Sequence, residues 1–330
     1  MNQCLPRKRY PLKPRRLYNL LVLCLLLFWI LRMTYYQHWS WINQHWPISL
    51  TMTLGSFIAG ATPQGGAAIA FPVFTKILHI TAENSRNFGF MIQSVGMTMA
   101  SVYIWSKGIV FLPRVVFWAV LGGILGVTLG TFWIVLPNPY PRVLFSLAAA
   151  TFGVTLLLSR KNLPVDPPPG HLPEASAKAV FLAGVMGGIF AAQTGSGVDL
   201  AEFIVLTLAF GINEKIATPT SVVIMGLVSL YGFSLHALTG NIPAPVWQWW
   251  WVAFPVVIFG APFGAWFASW VRREWLVALI LALIFLETVS TFYLIPFPPD
   301  VLKASIAAVF VTSAALALLL NHRLRTVSAK

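Results

Sequence analysis

Two glycine-rich breaks interrupt apolar runs of this chain, and they recur about 129 residues apart. The first reads Gln64-Gly65-Gly66 and the second Gln193-Thr194-Gly195-Ser196-Gly197. With that offset Gln193 falls on Gln64, Gly184 on Gly55, Gly195 on Gly66, Asn213 on Asn84 and Lys215 on Arg86. A single break of this kind is a common turn. The same break in two halves of a very apolar chain reads as a duplication, and paired interrupted membrane segments point to a transporter binding site.

The rest of the composition agrees with a membrane setting. The chain is 58% hydrophobic and 9% charged, whereas soluble domains carry about 25% charged residues. A formal charge of +13 is also a feature of nucleic-acid binders. Here the Lys and Arg collect in short loops, where they orient a polytopic protein. The expected partners are a small anion and membrane lipid, with no nucleic acid and no cofactor; a homodimer is a further arrangement open to such a chain. Cys4 and Cys24 both stand outside the duplicated halves, so neither a disulfide framework nor a thiol relay is expected. No GxxxxGK[ST] motif is present, so ATP hydrolysis through a P-loop is excluded.

The N-terminal segment carries Arg7, Lys8, Arg9, Lys13, Arg15 and Arg16 ahead of the apolar run Leu17 to Leu31. No small-residue cleavage site follows, so the run reads as a retained signal-anchor helix. Five segments result: a basic tail and anchor helix (1–47), a first repeat (48–158), a Pro-rich linker (159–178), a second repeat (179–295) and a C-terminal helix with a basic tail (296–330). The runs flanking the breaks, at 48–62, 66–80, 179–193 and 197–210, fall short of the roughly 20 residues of a crossing. If both pairs dip in and return, most of the 22 Lys and Arg lie inside, and only Arg32, Lys76, Arg86, Arg142 and Lys303 lie outside. If both pairs cross, Lys76, Arg86 and Arg142 move inside while Lys107, Arg114, Arg160, Lys161 and Lys178 move outside. The positive-inside bias favours the re-entrant arrangement. It also leaves three crossings per repeat, and an odd number inverts the second copy. The expected fold is therefore an all-α integral membrane protein. It has two inverted repeats, each a re-entrant broken-helix hairpin plus three transmembrane helices, with an extra helix at either end and both termini cytoplasmic. The tryptophans at 39, 41 and 46 and at 247 and 249–251 read as an interfacial belt.

Non-helical backbone is tolerated at membrane depth only inside protein or against a water-filled cavity. Each break should therefore face the interior, with a half-helix starting after it. The N–H groups and positive dipole of such a start hold anions without Lys or Arg. The expected binding residues are Gln64, Gly65 and Gly66 from the first break and Gln193, Thr194, Gly195, Ser196 and Gly197 from the second. Gln93 and Ser94 join them from the helix after the first break, and Thr218 and Ser221 from the helix after the second. These small polar groups also cap helices and join them in lipid. Asp199 and Glu202 are the expected proton-coupling residues, because acids inside apolar runs are costly and often functional. They are three apart, so they share a helix face, and burial with mutual repulsion favours a proton on at least one. Asp199 has a second reading as the acid of a capping box opened by Ser196. Glu287 lies within a later apolar run. An intramembrane Ser196–His236 dyad is a remote alternative, and Thr194 breaks the usual GxSG around such a serine. An anion channel is the nearer alternative.

The repeats resemble the TauE/SafE family of sulfite-exporter-like permeases. The resembling stretches are Gly60 to Phe74, Gly187-Gly188-Ile189 through Asp199, and Ala217-Thr218-Pro219-Thr220-Ser221. The first break lacks the commoner run of three glycines, and Asn87-Phe88-Gly89 stands where the second copy has the Ala-Thr-Pro-Thr-Ser opening. The resemblance implies a permease for small, often sulfur-containing anions such as sulfite or organosulfonates, usually exported.

Overall fold

The computed structural model describes residues 13–137, 140–159, 174–294, 303 and 307, and every regular element among them is helical. Helix α1 (Lys13–Tyr35) is apolar on all sides, which leaves most of it outside the bundle. One stripe docks: Trp29 Nε1 donates to Trp251 O at 2.7 Å, and the Tyr18 ring meets Tyr103 edge-on. A short α2 (Ser40–Gln44) follows.

From there one order of elements occurs twice. The first is α3 (Trp46–Ala61), a break, α4 (Ala67–Pro72), a π turn at Val73–Ile77, α5 (Ala82–Lys107), α6 (Pro113–Phe132) and α7 (Tyr140–Ser159). The second is α8 (Glu174–Thr194), a break, α9 (Val198–Ile204), a π turn at Val205–Ala209, α10 (Glu214–Leu238), α11 (Ala244–Trp270) and α12 (Arg273–Leu294). The π turns are 132 residues apart, as are the side-chain N-caps Thr81 and Asn213 that open the long helices. The structural offset is thus three residues longer than the glycine pattern suggests. Under it Thr62 matches Thr194, and each hydroxyl donates to a carbonyl four residues back, Ile58 O and Phe190 O. Gln193 then corresponds to Ala61, and Gln64 to Ser196. The two glutamines are not equivalent, because α8 runs one residue past the end of its counterpart and shortens the second break.

Packing pairs each half with the other. Helix α3 lies along α11, α8 lies along α6, and α5 lies against α10. Glycines set the closest approaches, as small residues do where helices have no hydrophobic drive to associate in lipid. A Cβ at Gly122 or Gly126 of α6 would stand 2.1 Å from Phe181 O or Val185 O of α8, and one at Gly264 of α11 would stand 2.0 Å from Phe57 O of α3. We expect Gly126→Val to force α6 from α8 and cost at least the ~1–3 kcal/mol of core overpacking. A lower thermal midpoint in detergent, measured against wild type, checks this. The long helices α5 and α10 run antiparallel: Asn87, near the start of α5, donates to Asn241 O beyond the end of α10, and Leu112 N beyond α5 donates to Thr220 near the start of α10.

Seven helices among the described residues are long and apolar enough to cross a membrane: α1, α5, α6, α8, α10, α11 and α12. Helix α8 is longer than its sequence run suggested, because the end of the Pro-rich linker is helical from Glu174 onward. The tryptophan belt also needs correction. Trp250 and Trp251 are buried; Trp250 Nε1 donates to Met91 O of α5 at 2.9 Å, while the Trp251 ring packs against Phe28 and Arg32 of α1. The basic tail before Lys13, most of the linker, the C-terminal crossing and the Glu287 side chain lie outside the described residues.

Candidate functional site at the paired breaks

The two breaks meet in the interior. Gly65 sits at φ +63°, a left-handed conformation that glycine adopts without steric cost. A Cβ there would stand 2.7 Å from Ser196 Oγ, 2.8 Å from Asp199 Oδ2 and 3.2 Å from Gln93 Oε1. Residues of the first break, the second break, α9 and α5 therefore converge on one point. Helix α5 also touches the second break directly. Gln93 Nε2 donates to Gly195 O at 2.8 Å and to Gly89 O at 3.1 Å. Gly195, at φ +82°, lies so close to Arg86 that a Cβ would be 2.6 Å from Arg86 O. Both half-helices start here, with N-caps Gly66 and Gly197.

Asp199 gives its two oxygens different surroundings. Oδ1 accepts from Gly197 N and Leu200 N, both at 3.1 Å, and from Ser196 Oγ at 3.4 Å. That is the acid half of a capping box, with Gly197 rather than Ser196 as N-cap. The serine half is missing, since Ser196 spends its hydroxyl on the carboxylate. Oδ2 has no hydrogen-bond partner, although the residue is fully buried. Glu202 is fully buried with neither carboxylate oxygen partnered. At the corresponding positions of the first half stand Ala67 and Ala70, so the halves share a backbone plan and differ in charge.

The remaining expected residues divide. Gln64 is buried with both amide atoms unpartnered. Thr194, Gly66 and Gln93 line a small, mostly apolar pocket whose walls also include Ser56, Ser85, Phe71, Phe74 and Phe88. Gln193 points elsewhere: its amide donates to Gly130 O and Ile134 O and accepts from Leu136 N, tying the end of α6 to α8. Ser94 and Ser221 bond back to carbonyls of their own helices, Met91 O and Thr218 O, and Thr218 Oγ1 is buried and unpartnered. No hydrogen bond joins these three to either break. His236 stacks on Phe90 with both ring nitrogens unpartnered, so it forms no dyad with Ser196.

The sequence reads Asn84-Ser85-Arg86-Asn87 as a polar helix start and counts Arg86 among the outside charges; what it does not show is how far Arg86 is buried. It lies on α5 with its side chain only 16% exposed, held by Asn87 Oδ1 at 3.0 and 3.1 Å and by Glu83 at 3.5 Å. The helix starts ahead of it at Thr81, whose side chain accepts from Asn84 N.

Residues 48–291 match the family described as sulfite exporter TauE/SafE. The chain belongs to that family. The matched span runs from within α3 to within α12 and contains both breaks. Neither a curated protein nor a solved structure matches the chain. TauE/SafE proteins are membrane transporters, and the seven apolar helices make this member a multi-pass membrane protein.

Proposed function

We propose that this TauE/SafE protein is a secondary transporter of a small anion, sulfite or an organosulfonate, in the exporting direction. The anion binds where the breaks meet, against Gln64, Gly65, Gly66, Gln93, Thr194, Gly195, Ser196 and Gly197. The observation that carries this reading is the meeting of both breaks at Gly65, with the buried Gln64 amide, which can donate, left without a partner. Buried polar groups are rarely left so. Asp199 and Glu202 are the groups through which export couples to a proton gradient.

The exchange-symmetric packing of the halves and the antiparallel α5–α10 pair support two inverted repeats that rock against each other. The short half-helices after each break support hairpins that enter and return. The loop charges support cytoplasmic termini, and the plasma membrane is the location proposed with them. The test is sulfite uptake into proteoliposomes over a concentration series, with and without a pH gradient. Saturating uptake that responds to the gradient is expected. Uptake linear in sulfite and indifferent to pH would identify an anion channel, and none from folded protein would remove sulfite as substrate.

A further inference from the structure

We propose that Arg86 and His236 form a second anion site, a way station for a small oxyanion between the paired breaks and the end of the bundle where α5 begins. This inference rests on the anion-transport reading above and gives the anion a path to one face of the membrane. One stripe of α5 faces the second break. Gln93 donates to Gly195 O, a Cβ at Gly89 would stand 3.3 Å from Gly195 Cα, and the Arg86 carbonyl crowds Gly195 one turn earlier. Helical side chains lean toward the N-terminus of their helix, so the guanidinium lies beyond the break, toward the start of α5. The end of α10 arrives at the same place. Asn87 Nδ2 donates to Asn241 O at 2.7 Å, and Asn241 N donates to His236 O at 3.1 Å. His236 stacks on Phe90, one turn from Arg86, with ring centroids 5.7 Å apart, and the Arg86 charge reaches the imidazole.

Each group lacks what its burial calls for. The guanidinium sets Nε and Nη2 on the neutral Asn87 Oδ1. Its carboxylate contact among the described residues, Glu83, is 3.5 Å away and 68% exposed. Exposed pairs of this kind contribute little, so a mostly buried charge is left poorly compensated, which is costly. Nη1 makes no hydrogen bond among the described residues. His236 is 1% exposed with both ring nitrogens unpartnered, although a neutral imidazole always has one N–H to donate. An oxyanion answers both deficits. The guanidinium fork fits two of its oxygens, the imidazole N–H serves another, and the negative charge compensates Arg86. The partial exposure of Arg86 opens the site to water. The halves differ here too. Under the 132-residue offset of the π turns, Thr218 and Ile104 stand where Arg86 and His236 would recur. The station therefore serves one end of the path. The loop charges place that end outside, so an exported anion leaves the breaks toward a full positive charge.

The test is the kinetics of sulfite uptake into proteoliposomes, with the midpoint of each variant measured in detergent. Arg86→Gln should raise the half-saturating sulfite concentration about tenfold or more, the weight of a charge-assisted hydrogen bond, with a smaller effect on the maximal rate. Arg86→Lys keeps the charge and loses the fork, so it should fall between. His236→Phe keeps the stack on Phe90 and removes both nitrogens, so it should raise the half-saturating concentration while the midpoint holds. Glu83→Gln separates a binding role from a structural one. An anion site loses a competing carboxylate, and its half-saturating concentration holds or falls. Charge capture is screened, so raising the ionic strength should bring wild type toward Arg86→Gln. Half-saturation equal to wild type in Arg86→Gln and His236→Phe overturns the proposal, as does a rise in Glu83→Gln. If Arg86→Gln fails to fold, the other two variants decide. The anion reading fails separately. No sulfite uptake by folded wild type removes that reading, whereas uptake with unaltered half-saturation in these variants keeps it and removes the station.

Discussion

Gly195→Ala is expected to abolish anion flux, while Gly240→Ala is expected to leave it close to wild type. Both glycines hold positive φ, +82° and +71°. An alanine pays about 1–2 kcal/mol for that conformation at either place. What differs is the surroundings. A Cβ at Gly240 meets nothing within 4 Å, whereas one at Gly195 meets Arg86 O at 2.6 Å and Arg86 Cα at 3.0 Å. Backbone cannot turn away as a side chain does, so the second break and α5 must separate. That separation breaks the hydrogen bond from Gln93 to Gly195 O and adds the ~1–3 kcal/mol typical of overpacking. Flux into proteoliposomes, with each midpoint measured in detergent, checks the pair. Wild-type flux in Gly195→Ala would show that contact between α5 and the second break is not needed for transport.

Asp199→Asn is expected to uncouple transport without unfolding the protein. The asparagine oxygen keeps the acceptor role of Oδ1 toward Gly197 N and Leu200 N. The amide N–H₂ takes the place of Oδ2 and gives Gln93 Oε1 a donor within the junction. The variant also removes an incompletely paired buried carboxylate, a group that costs several kcal/mol to desolvate. The midpoint should therefore hold or rise. Accumulation of anion against its gradient should disappear, because the variant cannot carry the proton. Downhill exchange should persist. Measured accumulation equal to wild type would take Asp199 out of the coupling step and leave Glu202 as the acid to examine.

Much of this was legible in the sequence, for identifiable reasons. Paired breaks in apolar runs are a backbone signal: glycine at Gly65, Gly195 and Gly197 marks positive φ, and the structure places all three there. The helical class followed from run lengths alone. The pairing of glutamines was misled by similarity of residue type. Gln193 stands on the last turn of α8 and serves α6, while its structural counterpart in the first half is Ala61. Sequence spacing does not reveal that α8 continues to Thr194. Arg86 was legible as part of a polar helix start, but its burial was not, because that depends on packing against the second break. The convergence of Gln93 on the second break involves residues 102 apart, and no local pattern carries such a contact. The halves also differ where only tertiary packing gives the difference meaning: Asp199 and Glu202 occupy positions that Ala67 and Ala70 hold in the first copy.

Exchange across the membrane tests most directly for one anion site between two rocking halves. Liposomes containing the protein are loaded with unlabelled sulfite, and uptake of labelled sulfite is compared with that into empty liposomes at equal external concentration. Alternating access predicts faster uptake into the loaded liposomes, because a carrier returning with anion bound reorients without waiting to reset empty. Uptake that is unchanged or slowed by internal sulfite would contradict the account and describe a pore open to both sides.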